Sequence, residues 1–375
     1  MLFDTTFSAG SIPTFPDRTL CLTFDDGPAE AGTPEDEPGP HSLELAQYLD
    51  SIGAHVTFFM VGRQVQEFPG VAEQMAALGH QVAIHTYDHL GLDDYLLKNG
   101  GDVVREISLT SSLLPNGKGG PLYMRAPYGQ WTPAVVKALN ADLMTCAGCF
   151  GPIHWDNAAS DWDKWLDGVS PTEVAQQYLD EISNLSKGVI LMHDNMADRR
   201  MAASRNRGLA LAQNLVPALQ EAGFDLRRVD EIPQIAGVAA ATPRIALRGK
   251  NQMYVSAQDG GGREILLTGA SPQSWEMLTP VPLGSNRIGF QTIGGQYISV
   301  QQDGVTVLAT APDVGDWETF EAMPGGKGTY IFRTFTGDYL TIGAGQTLVG
   351  NGGQTDANNA FGFFIYTAAS AHGGI

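Results

Sequence analysis

The sequence predicts an α/β domain built on a parallel sheet, followed by a smaller all-β domain. Three observations carry this. Over about the first three fifths of the chain, short apolar or β-branched runs alternate with stretches of helical period. Polar side chains of catalytic type stand directly after several of those runs. Beyond residue 243 the helical period disappears, and a set of short motifs recurs at about 42 residues instead.

The run Leu20-Cys21-Leu22-Thr23-Phe24 reads as a buried strand stopped by Gly27-Pro28, which leaves Asp25 and Asp26 at a strand end. Neighbouring side chains on an extended backbone point opposite ways, so the two acids should differ in role unless the turn bends them together. Capping of the next helix is the alternative use. An acidic, Pro/Gly-rich insertion from Ala29 to Pro40 is expected to be a surface loop at the rim of a cleft. Leu45, Leu49 and Ile52 then give a helix stopped by Gly53, and Val56 to Val61 a strand.

A helix through Val71 to Leu78 ends at Gly79, and the strand Gln81 to Ile84 leads into His85-Thr86-Tyr87-Asp88-His89. Two histidines four apart lie on one face of a helical turn and can reach one metal ion. With Asp26 they make a two-histidine, one-carboxylate set that leaves coordination positions open. Helical spacing continues through Val103, Ile107 and Leu114, and Leu122-Tyr123-Met124 forms a strand ending at Arg125. Thr132 to Leu139 is helical, with Pro133 allowed at the first position, and Leu143-Met144 reads as a short strand. Ser170-Pro171-Thr172-Glu173 combines a capping serine, an early proline and a glutamate three residues on, a strong helix start. That helix hands over at Gly188 to Val189 to Met192, a strand ending at His193; Leu209 to Ala222 and Phe224 to Val229 close the series as helix and strand.

Parallel strands alternating with helices form either a closed barrel or an open sheet. Asp25, Asp26, His85, Arg125 and His193 all follow strands, and a (β/α) barrel gathers such positions on one face, so the barrel is the expected form.

With 375 residues, 43% of them hydrophobic, the chain is long enough for two domains. It offers no apolar run of membrane-spanning length, and its N-terminus lacks the basic-then-apolar pattern of a secretory signal. A formal net charge of −19 opposes nucleic acid and anionic membranes as partners. Cys21, Cys146 and Cys149 are too few for a disulfide framework; Cys21 reads as a buried thiol, and the Cys-x-x-Cys pair as a local disulfide or two free thiols.

Thr23-Phe24-Asp25-Asp26-Gly27-Pro28, His85-x-x-x-His89, Arg125-Ala126-Pro127-Tyr128-Gly129, Asp161-Trp162 and Leu191-Met192-His193 occur in the order and approximate spacing of the NodB-homology polysaccharide deacetylases. The chain resembles that family over its first three fifths. The resemblance implies a distorted, incomplete (β/α) barrel and removal of acetyl groups from N-acetylglucosamine polymers such as chitin, chitooligosaccharide or peptidoglycan. It implies that Asp26, His85 and His89 hold a divalent metal, zinc first, with Co2+ or another ion as alternatives. Asp25 is then the general base, Arg125 its orienting partner and the backbone N–H of Tyr128 the oxyanion donor. His193 is the general acid paired with Asp161, and Trp162 and Leu191 wall the pocket for the acetyl methyl group.

Where the family often has Asp-x-x-Asp-Trp, this chain reads Ala158-Ala159-Ser160-Asp161-Trp162, so the earlier acid is missing; Asp156 and Asp163 lie nearby. Alternatives are an O-deacetylase acting on acetylated xylan and a weakly active glycan-binding protein. A non-haem iron oxygenase would share the ligand set but has no use for a second Asp or for the Arg-x-Pro-Tyr turn. The expected location is extracellular or cell-wall associated, a cytoplasmic one being the alternative.

The boundaries expected are a catalytic domain over 1–235, a linker over 236–243 and a second domain over 244–375. Tyr254-Val255, Tyr297-Ile298 and Tyr339-Leu340 recur, as do Leu266-Leu267, Val307-Leu308 and Leu348-Val349, and Trp275-Glu276, Trp317-Glu318 and Phe361-Gly362. Three such repeats resemble a β-trefoil of the fascin-like or ricin-like kind, with the repeated Tyr, Leu and Trp forming its core. Carbohydrate binding is the functional expectation for it, and a structural module the alternative.

Overall fold

A computed structural model describes residues 1–30, 39–115, 120–198, 204–241, 243–284, 286–326, 328–354 and 357–366. Most of the expected rim loop, residues 31–38, lies outside them. The chain divides into two compact units: 2–139 with 149–240, and 140–148 with 241–375.

The first unit runs β1 (Leu2–Phe7), β2 (Thr19–Asp25), α1 (Ser42–Ser51), β3 (Thr57–Met60), α2 (Gly62–Glu67), α3 (Val71–Ala77), β4 (Gln81–Ile84), α4 (Leu92–Asn99), α5 (Val103–Leu113), β5 (Leu122–Tyr123) and α6 (Pro133–Asn140). After α7 (Leu143–Gly148) it resumes with β6 (Cys149–Ile153), α8 (Asp161–Leu166), α9 (Pro171–Ser183), β7 (Gly188–His193), α10 (Gly208–Glu221), β8 (Asp225–Leu226) and α11 (Pro233–Ala240). Strand and helix alternate because fully buried runs such as β2 can be covered on both faces only when helices pack on a parallel sheet.

Among the described residues, every pairing between these strands is parallel. One sheet has the order β4-β3-β2-β7, with β8 beside the start of β2; the other is β1-β6-β5. An isolated bridge between Ile84 and Met124 joins the edge strands β4 and β5, and one between Asn157 and Ile190 joins β7 to the segment that follows β6. The result is a ring of parallel strands held at two seams by single bridges, a barrel with interruptions. Two apolar clusters pack this unit: Phe24, Phe58, Met60, Ile84, Met124, Ile190 and Met192 are buried with the helices, and Cys21, Phe59, Ala83, Tyr123, Phe150 and Val189, from alternate positions of the strands, are buried in a second.

The capping box at Ser170 and Glu173 forms as the sequence predicts, each side chain accepting the other's backbone N–H at the start of α9. Two local expectations fail. Leu143 and Met144 begin a helix, not a strand, and Leu143 and Ala147 are buried in the core of the all-β unit. The amide of Leu143 donates to Tyr330 Oη at 3.0 Å, a partner 187 residues away that no local pattern announces. Within the expected linker, Pro233–Ala240 is helical, as its alanines and a proline at the first position favour. All three cysteines are buried and free, so the disulfide alternative is set aside.

In the second unit, the described residues form twelve strands, from β9 (Arg244–Arg248) to β20 (Phe361–Tyr366), that pair antiparallel. Three hairpins repeat one geometry: Tyr254 faces Gly269, Tyr297 faces Ala311 and Tyr339 faces Gly352, each followed by a register shift. The ring needs the small partner opposite it. Leu267, Val307 and Leu348 are buried as expected, whereas Trp275 is 43% exposed and Trp317 half-buried. The glutamate of each Trp-Glu pair turns inward instead. Glu276 accepts the amide of Gln273 and Glu318 that of Gly315, both at 2.8 Å, closing a tight turn. The aromatic core comes from Phe290, Phe320, Phe332 and Phe361.

Candidate active site

The ends of β2, β4, β5 and β7 open onto one cleft of about 350 Å³, lined by Asp25, Asp26, His85, His89, Ala126, Tyr128, Trp155, Trp162, Leu191, His193, Met196 and Asp198. Eight of the ten residues singled out in the sequence are among these. The other two, Arg125 and Asp161, are buried directly behind them.

Asp25 ends β2 and pairs laterally with His193 at the end of β7. Asp26 follows with φ of 78°, a left-handed conformation that turns the chain and brings its carboxylate to the same side. His85 Nε2 consequently lies 3.6 Å from both Asp25 Oδ2 and Asp26 Oδ1. Gly27 permits this turn because a Cβ there would run into the Asp194 carboxylate, which accepts the Gly27 amide at 3.1 Å.

The two histidines meet, but not on a helical turn. Thr86 and His89 have φ of 63° and 56°, and the segment is irregular. The reason is a set of tertiary bonds. Glu106, fully buried on α5, accepts the amides of Tyr87 at 3.2 Å and Asp88 at 2.8 Å. The carbonyls of Thr86 and Tyr87 in turn accept the first amides of α2, from Gly62 and Arg63. A loop clamped on both its donors and its acceptors needs no helical bonds of its own.

His85 Nδ1 donates to the Arg125 carbonyl at 2.9 Å, which turns its Nε2 toward the acids. Burial pushes the His85 imidazole below its ordinary value, favouring the neutral form that can ligate a metal. His89 Nε2 is 3.0 Å from Asp26 Oδ1, an oxygen that is buried and has no hydrogen-bond partner. Burial would also depress His89, but Asp26 and then Asp198 outweigh it and push the imidazole up to about 10, so a cation bound there would take the place of the His89 proton. Burial works to raise the Asp26 carboxyl, yet the charges of His89, His193 and His85 hold it well below the usual carboxylate range.

Donor atoms from Asp26, His85 and His89 all lie within 4.8 Å of one another. A buried, orphaned carboxylate oxygen facing two imidazole Nε2 atoms is what a divalent cation would satisfy, and the residues fit such an ion.

Arg125 is wholly buried. Its Nη1 donates to Asp25 Oδ1 and to Thr23 Oγ1, each at 2.7 Å, and its guanidinium lies 4.1 Å over the Phe59 ring. Tyr128 has φ of 57° in the turn after Pro127, and its ring centroid lies 4.9 Å from that of His89.

On the opposite wall, Asp161 Oδ1 accepts from His193 Nδ1 at 2.7 Å and Asp161 Oδ2 accepts the His193 amide at 2.9 Å. Burial alone would favour neutral His193, but Asp161 outweighs it and pushes the imidazole up to about 9. The nitrogen left over, Nε2, can hand a proton into the cleft. In Asp161→Asn, ring-proton NMR should show His193 titrating at a clearly lower pH than in the wild type, since the stabilising negative charge is gone. An unchanged midpoint would mean that Asp161 does not set it.

Among the described residues, neither nearby acid takes the place of the acid missing before Trp162. Asp156 accepts the amides of Ala9, Gly10 and Val189 within 2.8 Å, and Asp163 is exposed on α8. Trp155, Met196 and Asp198 are lining residues that sequence reasoning did not single out. Met196 and Asp198 follow His193 in a segment without periodicity, and only Trp155, an aromatic beside a strand end, carried any signal.

The polysaccharide deacetylase family profile matches residues 13–147. A chitooligosaccharide deacetylase of Azorhizobium caulinodans is 29% identical over 218 residues, spanning 56% of this chain and 91% of its own length. Another, from a Bradyrhizobium species, is 30% identical over 57% of this chain and 90% of its own. A peptidoglycan-N-acetylglucosamine deacetylase of Bacillus cereus is 28% identical over 57% of this chain and 70% of its own. The Bradyrhizobium relative, 30% identical over 90% of its own length, and the family profile establish that the chain belongs to the polysaccharide deacetylase family of hydrolases.

Proposed function

We propose that the chain removes acetyl groups from N-acetylglucosamine residues of a polysaccharide, using a divalent cation held by Asp26, His85 and His89. One observation carries the reading: a buried acid, Asp25, and a buried histidine, His193, stand side by side at adjacent strand ends, in a cleft that also holds the orphaned Asp26 carboxylate oxygen and the clustered imidazoles of His85 and His89. The relatives named for chitooligosaccharide and peptidoglycan support the substrate class.

An amide has a poor leaving group, so water must be activated on one side and the departing nitrogen protonated on the other. When bound, the cation, zinc by the chemistry of its donors, would polarise the acetyl carbonyl and make water more acidic. Asp25, fixed through Oδ1 by Arg125, takes the proton of the attacking water on Oδ2. The Tyr128 amide receives the oxyanion as the carbonyl carbon becomes tetrahedral. His193, steered by Asp161, delivers the proton to the sugar nitrogen as the C–N bond breaks, leaving acetate and a free amine. Trp162 and Leu191 enclose the methyl group. An acetylated-xylan esterase would use the same groups, with an alcohol leaving instead of an amine.

For the second unit we take the three equivalent hairpins to be a β-trefoil, supported by their repeated Tyr registers and by bridges joining the hairpins, Glu264 to Leu308, Leu266 to Thr347 and Thr306 to Val349. Its role is to hold a glycan and raise the local substrate concentration. This division of labour, and action outside the cell or at its wall, go together.

The deciding experiment is acetate release from chitin oligosaccharides and from acetylated xylan, with metal-stripped protein before and after zinc is restored. Zinc-dependent release from the amide substrate is expected, and release from xylan alone would reverse the assignment. In a parallel tube of insoluble chitin, retention of the full chain in the pellet is expected; a chain that stays in solution would remove the glycan-holding role.

A further inference from the structure

His89 is oriented from outside the motifs that name the site. Its Nε2 faces Asp26 Oδ1 at 3.0 Å, and its Nδ1 lies 2.8 Å from Asp198 Oδ2. Tyr128 Oη is 3.2 Å from that same Nδ1 and donates to the same Asp198 oxygen. His85 is held differently, by a backbone carbonyl, so Asp198 is the carboxylate partner on the pair.

The segment that carries Asp198 touches Asp26 too. The Ala197 amide donates to Asp26 Oδ2 at 3.0 Å, and Asn195 Nδ2 donates to the Asp26 carbonyl at 3.2 Å. Asp194 accepts the amide of Gly27. Residues 194–198, leaving β7, therefore bracket the Asp26 turn and His89 at once.

A neutral imidazole has one N–H. Whichever nitrogen donates, the other presents a lone pair. Resting on the metal-centre reading above, we propose that Asp198 is a positioning residue for that centre: by accepting the Nδ1–H of His89 it fixes the tautomer whose Nε2 lone pair faces Asp26. Tyr128, through its hydroxyl, keeps Asp198 in register. This use of the Tyr128 side chain is separate from the use of its backbone amide on the oxyanion.

Removing such a partner weakens metal binding by about 10–100-fold in comparable sites. The test is the zinc affinity of the full chain, measured by competition with a chromophoric chelator, for the wild type, Asp198→Ala, Asp198→Asn and Tyr128→Phe. Asp198→Ala is expected to bind zinc about 10–100-fold more weakly. Asp198→Asn should lose less, because its amide oxygen still accepts a hydrogen bond, and Tyr128→Phe should also fall short of the alanine loss. With Co2+ in place of zinc, the visible absorption of Asp198→Ala should differ from that of the wild type, a change that mere loss of stability would not produce. A zinc affinity for Asp198→Ala less than tenfold below wild type would overturn the positioning role. A wild-type chain that takes up no zinc would instead overturn the metal-centre reading, so the two failures are told apart.

Discussion

Asp25→Asn is expected to slow acetate release by roughly 10²–10⁴-fold, the usual worth of a positioned general base, while zinc content stays at the wild-type level. The substitution is nearly isosteric. An amide oxygen can still accept from Arg125 Nη1, which lies 2.7 Å from Oδ1, so the strand end should keep its shape. What is lost is the second oxygen, 3.6 Å from His85 Nε2 on the cleft side, which as an amide cannot take a proton from water. Turnover and metal analysis on one preparation would decide the matter, and near-normal turnover would show that Asp25 is not the base. His89→Ala is the contrast, expected to lose activity and zinc together.

Arg125→Met is expected to cost stability as well as rate. The guanidinium donates to Asp25, Thr23 and the Ile153 carbonyl, and none of it reaches water. Methionine fills part of the volume over Phe59 but leaves the Asp25 carboxylate buried without its counter-charge. Breaking a buried pair from one side costs about 3–5 kcal/mol. Urea denaturation should therefore show a marked drop in midpoint, alongside loss of acetate release. Arg125→Lys should recover little, since an ammonium offers no planar fork to reach Asp25, Thr23 and Ile153 together. A variant that melts like the wild type would show that Asp25 finds another partner.

Much of the site was legible because its chemistry sits where local pattern changes. An apolar strand followed by Gly27-Pro28 marks Asp25 and Asp26, and Val189 to Met192 marks His193 in the same way. The capping box at Ser170 was legible because both partners lie within four residues. The His85 to His89 spacing pointed to the right pair for a geometry it does not have. A helical turn was the only local way to bring them together, whereas the fold uses Glu106 from α5 and the first amides of α2. In the second unit, repeated Trp-Glu pairs suggested buried rings, but the carboxylates turn inward to close tight turns, while the Trp275 ring is exposed and the Trp317 ring only half-buried.

The sequence by itself determined the parallel α/β plan, the strand-end acids and histidines, and the repeat that builds the second unit, because periodicity and chain-breaking residues act over a few positions. Only the tertiary structure decided that Asp25 and Asp26 face one cleft through a left-handed turn, that Asp156 is consumed by backbone amides, that Leu143 is helical, and that Asp198 reaches His89 across 109 residues. Each of these depends on a hydrogen bond or packing partner far away in the chain, and such partners are chosen by where the strands and helices come to rest.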